Sequence, residues 1–406
     1  MTQPSERKCR LRARAAGLAV LGILFAATGC ADPQAAETGS RSSAQVSDPT
    51  EEGAPAAVVS FDPPLDSSDF APLTPVTVSA GNGTLTEVVV ARPDGVPVPG
   101  ALSADGTVWQ ATDLLAYDTT YSVSATAVNV DGIATAKTGS ITTVTPRTFT
   151  MPYLLPTSRM SSVGVGMPIV VKFDEDIENR AAVERRLAVT STPPVAGAWY
   201  WFGDREVHYR PQEYWAPGTH VVVDVGIYGV DVGGSIYGQE NQHLEFDIHD
   251  ALVARVDNSE LILRAYRNGV LERAMPTSMG KSGFGTPSGT YIVMQQDRRY
   301  TMDSSTYGTP IDDPEGYRTE VEYVSRISYS GIFVHAAPWS VGDQGIRNVS
   351  HGCLNVSTAD AGYFYENFGW GDIVQVTGTG VPLEPTDGLG DWNIPWEQWL
   401  LGSALS

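Results

Sequence analysis

Val349-Ser350-His351-Gly352-Cys353-Leu354-Asn355, with Ile332-Phe333-Val334-His335 upstream, is the stretch that orders the rest of the chain. A free thiol with a pKa of about 8.5 is only a few per cent thiolate near neutrality, and the thiolate is the attacking form. An imidazole within reach turns such a cysteine from a small apolar residue into a nucleophile. Two of the six histidines, His335 and His351, lie within 18 residues of Cys353. Residues two apart on extended backbone share a face, which sets His351 beside Cys353 and leaves both histidines as candidate bases. Gly352 lets the backbone approach a bound acyl group, and the N–H groups of Gly352 and Cys353 are candidate oxyanion donors. His335, His351 and Cys353 lack a fourth ligand at useful spacing, so no metal is expected, and no cofactor.

With its flanks, the pattern resembles the signature of the L,D-transpeptidases, which cross-link bacterial peptidoglycan. The likeness is carried by His335, then fourteen residues, then Ser350-His351-Gly352-Cys353-Leu354-Asn355. It extends through Tyr307, Tyr317, Ser330-Gly331 and Ala337-Pro338-Trp339. The resemblance is strongest to the actinobacterial, mycobacterial-type enzymes with two immunoglobulin-like modules ahead of the catalytic domain. It implies Cys353 as nucleophile and His335 as base, with the Ala336 carbonyl orienting the imidazole and His351 shaping the loop and oxyanion site. The Tyr317 hydroxyl is expected to help at the oxyanion. Asn355 and Ser350 are expected to bind substrate or fix the loop, Ser330 and Gly331 to pair with the stem peptide, and Tyr307, Met302 and Trp339 to line the pocket. The implied substrate is a donor tetrapeptide stem, cut after diaminopimelate with loss of D-alanine. A neighbouring diaminopimelate amine then attacks the thioester to give a 3→3 cross-link, and carbapenems are expected to acylate the same thiol. Passing the thioester to water instead gives an L,D-carboxypeptidase, and a non-catalytic wall-binding protein is the third reading.

At 406 residues the chain is long enough for two to four domains. The formal charge is -21, and -25 without residues 1–29, which hold five basic groups and one acid. So acidic a chain repels nucleic acid, so no nucleic-acid partner is expected. The 41 glycines and 27 prolines, with abundant Val and Thr, read as short strands joined by turns. The fold class is mainly β: two tandem immunoglobulin-like β-sandwiches, then a β-rich catalytic domain with a short helix and a Trp-rich C-terminal extension.

Residues 1–29 read as a signal segment, with Arg7, Lys8, Arg10, Arg12 and Arg14 ahead of the apolar run Ala15–Ala27. Ala27-Thr28-Gly29-Cys30 resembles a lipoprotein processing site, which makes Cys30 the expected lipidation residue and N-terminal membrane anchor. The body of the protein is then expected in the cell envelope, on the outer face of the cytoplasmic membrane. Residues 30–55 are small and polar and read as a flexible tether. Alternating runs such as Tyr121-Ser122-Val123-Ser124-Ala125 predict one sandwich over 56–147 and a second over 148–250. The catalytic domain is expected over 251–377, with Arg267-Asn268-Gly269-Val270 as a hairpin turn. A strand is expected over Tyr291–Gln295, followed by a turn-rich lid from Asp297 to Arg318. A helix is expected over Thr358–Phe368. Trp392, Trp396 and Trp399 in the 378–406 extension read as packing against an earlier domain, with glycan recognition as the alternative. Trp109, Trp199, Trp201 and Trp215 read as core. His208, His220, His243 and His249 read as structural or surface residues. The Asp231-Val232-Gly233-Gly234 loop has too few carboxylates for a cation.

Overall fold

The computed structural model describes residues 53–406; Cys30 and the leader lie outside them. The first sandwich faces the four-stranded sheet holding Val58–Asp62, Thr77–Gly81, Val108–Ala111 and Gly100–Leu102 against another built on Thr84–Ala91, Thr120–Val128 and Ala134–Thr143. Strict alternation drives it. In Thr120–Val128 the residues Tyr121, Val123, Ala125 and Ala127 are all buried and their neighbours face outward. The second sandwich pairs a sheet containing Ile169–Phe173 and Glu206–Pro211 with one containing His220–Val225 and Gln242–Ile248. Trp109, Trp199, Trp201 and Trp215 are all buried, so none offers a platform for sugar. The two sandwiches meet at Tyr117, whose hydroxyl donates to the Gly238 carbonyl and accepts from the Gly229 N–H, with Phe149, Tyr228 and Tyr237 around its ring.

Nine strands form the catalytic domain: β1 (Leu252–Asp257), β2 (Ile262–Arg267), β3 (Val270–Pro276), β4 (Gly289–Ile292), β5 (Gln295–Asp303), β6 (Arg318–Arg326), β7 (Phe333–Ala336), β8 (Leu354–Val356) and β9 (Ile373–Thr377). One sheet runs β3-β2-β1-β9-β4 and the other β5-β6-β7-β8, antiparallel except for the β1–β9 and β7–β8 pairs. Asn268 and Gly269 both take positive φ, which gives the β2–β3 hairpin its turn. Helix α1 (Thr358–Asn367) is capped by the Ser357 hydroxyl, which accepts from the Asp360 N–H, and it packs on β6 and β7. Residues Leu263, Met275, Val334, Leu354, Phe364 and Val374 close the core between the sheets and this helix.

The expected lid and the strand before it need correction. The strand expected through Gln295 stops at Ile292, and Gln295–Asp303 is a further strand paired with β6 from Gln295↔Arg326 to Asp303↔Arg318. The connection is therefore residues 304–317, opening on a 3-10 turn over Ser304–Tyr307. The charged run Asp297-Arg298-Arg299 concealed the strand, because its arginines face solvent and pair with Glu322 across the ladder.

The extension folds back on the second sandwich. Trp399 is fully buried and its indole N–H donates to the Ala198 carbonyl at 2.9 Å. The Arg210 guanidinium lies over the rings of Trp392, Trp396 and Trp399 at 4.8, 5.3 and 4.4 Å. His208, 3 % exposed, bridges Asp391 of the extension (2.7 Å) and Glu206 of its own strand (2.8 Å). Gly164 and Gly166 donate backbone hydrogen bonds to Trp370 and Gly371, and one apolar core continues from the sandwich into Ile292, Ile373 and Leu389.

Candidate active site

The parallel β7–β8 pair sets His335 opposite Asn355 and Val334 opposite Leu354. Alternation puts Phe333 with His335 on one face, and Cys353, one residue before β8, joins Asn355 on that same face. Two residues far apart in the chain are thus brought together by sheet register. Cys353, His335 and Asn355 border a cavity of about 200 Å³, walled also by Met302, Tyr317, Trp339, Ser350 and His351. A second hollow of about 620 Å³ shares His351 and is lined by Lys281, Phe284, Ser330, Gly331 and Gly352.

The His335 Nδ1–H donates to the Ala336 carbonyl at 2.9 Å. A carbonyl only accepts, so Nε2 is left with its lone pair. Burial drives this imidazole down to about 4, against the Ala336 carbonyl and the Asn355 carboxamide. Burial pushes the Cys353 thiol up to about 12, opposed by the Phe333 N–H and the Arg326 charge. Cys353 is 8 % exposed, and its S–H donates a hydrogen bond to the Gly331 carbonyl at 3.6 Å. Near neutrality the thiol and the imidazole are therefore both uncharged.

His351 is otherwise engaged. Its Nε2 lies 2.8 Å from Glu315 on the lid, and its ring packs between Phe284 and Tyr317. Lys281 reaches the same carboxylate, and the hydrogen bonds from Lys281 first and His351 second hold Glu315 below the usual carboxylate range. Glu315 and Lys281 were not among the residues singled out from sequence. A carboxylate between Pro314 and Gly316 in a loop otherwise read for its aromatics was the available signal.

Several expected substrate contacts take other partners. The Gly352 N–H donates to the Ser350 hydroxyl at 3.1 Å, so of the two proposed oxyanion donors only the Cys353 N–H is uncommitted. The Ser350 hydroxyl in turn donates to the Cys353 carbonyl at 2.7 Å, so it fixes the loop. Gly352 needs its φ of +126° to make this turn. Ser330 donates through both N–H and hydroxyl to Asp387 of the extension, at 2.6 Å each, so neither group is open to a peptide. Tyr307 does not line the cavity. Its hydroxyl bonds Arg326 at 2.7 Å and its ring covers Gly331, where a Cβ would come within 2.4 Å. Met302 and Trp339 do line the cavity, and the Asn355 carboxamide donates to Ser340 at 3.2 Å. The Tyr317 hydroxyl is pushed up to about 12 by burial and then by Cys353, so it stays a donor at neutral pH.

The fold and site define a class: a thiol-and-imidazole cavity on a β domain that follows two immunoglobulin-like sandwiches. The model for the L,D-transpeptidase catalytic domain matches residues 252–376, and that for a bacterial Ig domain matches 67–231. The chain is 47% identical over 331 residues to L,D-transpeptidase 2 of Mycobacterium tuberculosis (strain CDC 1551 / Oshkosh), covering 81% of each. It is 35% identical over 360 residues to L,D-transpeptidase 5 of the H37Rv strain, covering 86% of this chain and 78% of that protein. A solved structure of L,D-transpeptidase 3 from Mycobacterium tuberculosis with a faropenem-derived adduct is 34% identical over 56% of this chain and 97% of its own, with a TM-score of 0.48. The chain belongs to the L,D-transpeptidase family and is a transpeptidase enzyme.

Proposed function

We propose that the chain exchanges peptide bonds on peptidoglycan stems through a thioester on Cys353. Nε2 of His335 takes the thiol proton as the sulfur attacks the carbonyl between diaminopimelate and D-alanine. The Cys353 N–H and the Tyr317 hydroxyl carry the oxyanion. The C–N bond breaks, the imidazolium protonates the leaving amine, and D-alanine departs. A diaminopimelate amine on a second stem then attacks the thioester, loses its proton to His335, and releases the thiol with a 3→3 cross-link. Carbapenems, as strained acyl donors, acylate the same sulfur. The observation that carries this reading is the shared cavity of Cys353 and an imidazole whose Nε2 is uncommitted.

Partition toward water makes the same site an L,D-carboxypeptidase, and the clasp of Glu315 on His351 and Lys281 favours transfer by holding the lid against solvent. The protein works outside the cytoplasm in the cell envelope, tethered through Cys30. The test gives purified protein a disaccharide-tetrapeptide and weighs the products. Dimers lacking one D-alanine support the proposal, tripeptide monomers move it to the carboxypeptidase, and retained cross-linking by Cys353→Ala ends the thioester route.

A further inference from the structure

The thiol sits in a small apolar cluster of its own: Met302, Val321, Val324 and Phe333 are buried with Cys353, and Tyr300, Tyr307 and Tyr317 pack against it. One cation lies at its edge. Arg326 closes β6, and the β6–β7 register pairs it with Phe333, so its guanidinium lies over that ring at 4.8 Å. One terminal nitrogen bonds the Tyr307 hydroxyl at 2.7 Å and approaches the Tyr300 hydroxyl at 3.5 Å. Its Nε is buried with no hydrogen-bond partner, and among the described residues no carboxylate lies within ion-pair distance of it. Most arginines in this domain are neutralised, as Arg264, Arg267, Arg273, Arg298, Arg299, Arg318 and Arg347 are. An unneutralised guanidinium stacked against an apolar cluster costs desolvation and leaves a hydrogen-bond donor unused. Arg326 is only partly exposed, so water screens its charge in part rather than fully.

We propose that Arg326 is a positioning residue for the reaction: it holds the lid tip onto Gly331 through Tyr307 and lends its unpaired positive charge to the Cys353 thiolate. The first half follows the contacts. Arg326 holds the Tyr307 hydroxyl, the Tyr307 ring lies on Gly331, and the Gly331 carbonyl accepts the hydrogen bond of the Cys353 thiol. The second half follows the charge. Burial opposes ionisation of Cys353, and the Phe333 N–H and Arg326 are the groups that favour it. The other ionisable groups facing the sulfur are His335 from β7, His351 from the catalytic loop with Glu315 behind it, and the tyrosines at 300, 307 and 317. Burial raises Tyr307 and Tyr317 above the usual phenol range, and His335 is neutral. The guanidinium touches no reacting atom and acts through the sulfur.

This inference rests on Cys353 being the nucleophile, and alkylation tests the thiol without any peptide substrate. The rate of Cys353 alkylation by iodoacetamide in the full chain is measured between about pH 7 and pH 9.5, where it tracks the small thiolate fraction. Arg326→Gln, which keeps a donor for Tyr307 but loses the charge, is expected to slow alkylation about three- to tenfold at every pH, a parallel displacement. Arg326→Lys, which keeps the charge, is expected to stay within about twofold of the wild type. Tyr307→Phe, which keeps the charge and loses only the lid bond, is expected to slow alkylation by less than Arg326→Gln does, and a loss as large as that of Arg326→Gln overturns the charge argument. Equal rates for wild type and Arg326→Gln overturn the proposal, as does an equal loss in the Gln and Lys variants, which would make the cause packing. If Arg326→Gln does not fold, the Lys variant decides: a loss of threefold or more overturns the charge argument. Wild-type Cys353 inert across the whole range overturns the nucleophile assignment itself, a separate failure.

Discussion

Replacing His208 by glutamine should flatten the alkaline side of the protein's stability curve. Both ring nitrogens of His208 face carboxylates, Asp391 at 2.7 Å and Glu206 at 2.8 Å, and only the imidazolium can donate to both. Burial alone would push this group down, but Asp391 and Glu206 outweigh it and raise it from 6.5 to about 9. A raised folded pKa stabilises fully below the unfolded value and is lost as pH climbs through the folded one. The window is therefore 6.5 to about 9. The shift corresponds to about 3 kcal/mol, a large share of the ~5–15 kcal/mol that holds a domain together. Asp372, a buried carboxyl raised to about 8, adds a decline of its own that is complete above that pH and is common to both proteins. The difference between them isolates His208. Urea unfolding followed by tryptophan fluorescence, with Trp392 and Trp399 in the interface, should show the wild type losing about 3 kcal/mol more than His208→Gln between about pH 6 and pH 10. Curves that stay parallel across that range would rule out the His208 bridge as the source, and with it the ionic clamp between the extension and the second sandwich.

Three further outcomes come from the site and the domain junction. His335→Ala should lower β-lactam acylation of Cys353 more than His351→Ala. With His335 at about 4, wild-type acylation should also persist to pH 5, where an imidazole at 6.5 would cost roughly thirtyfold; stopped-flow acylation profiles check both. Gly164→Ala should destabilise by about 2 kcal/mol or more in thermal unfolding, because its Cβ would lie 2.4 Å from the backbone and carboxylate of Asp372 across the junction.

The Cys353–His335 pairing was legible because its residues stand in a short, recognisable pattern. Whereas the Gly352 φ of +126° came only from the fold, a thiol, a glycine beside it and a histidine on an extended strand are each readable from a few neighbouring residues. So were the sandwich strands, whose alternation follows from one buried face, and the core role of the tryptophans. Strand β5 was not, since its charges mask the alternation until Glu322 is known to lie opposite. Nor was the loss of the Gly352 N–H to Ser350, which depends on the fold of a tight loop.

The sequence by itself determined that Cys353, His335, His351 and Asn355 would meet at the site and that the domains would be built of strands. Only the tertiary structure decided how those groups are engaged: His335 free at Nε2, His351 held by Glu315, Ser330 taken up by Asp387, and Arg326 left without a counter-ion over the Phe333 ring. The physical reason is range. Strand formation and turn chemistry are fixed within a few residues, whereas burial, charge pairing and proton affinity are set by segments tens of residues apart that meet only in the folded chain.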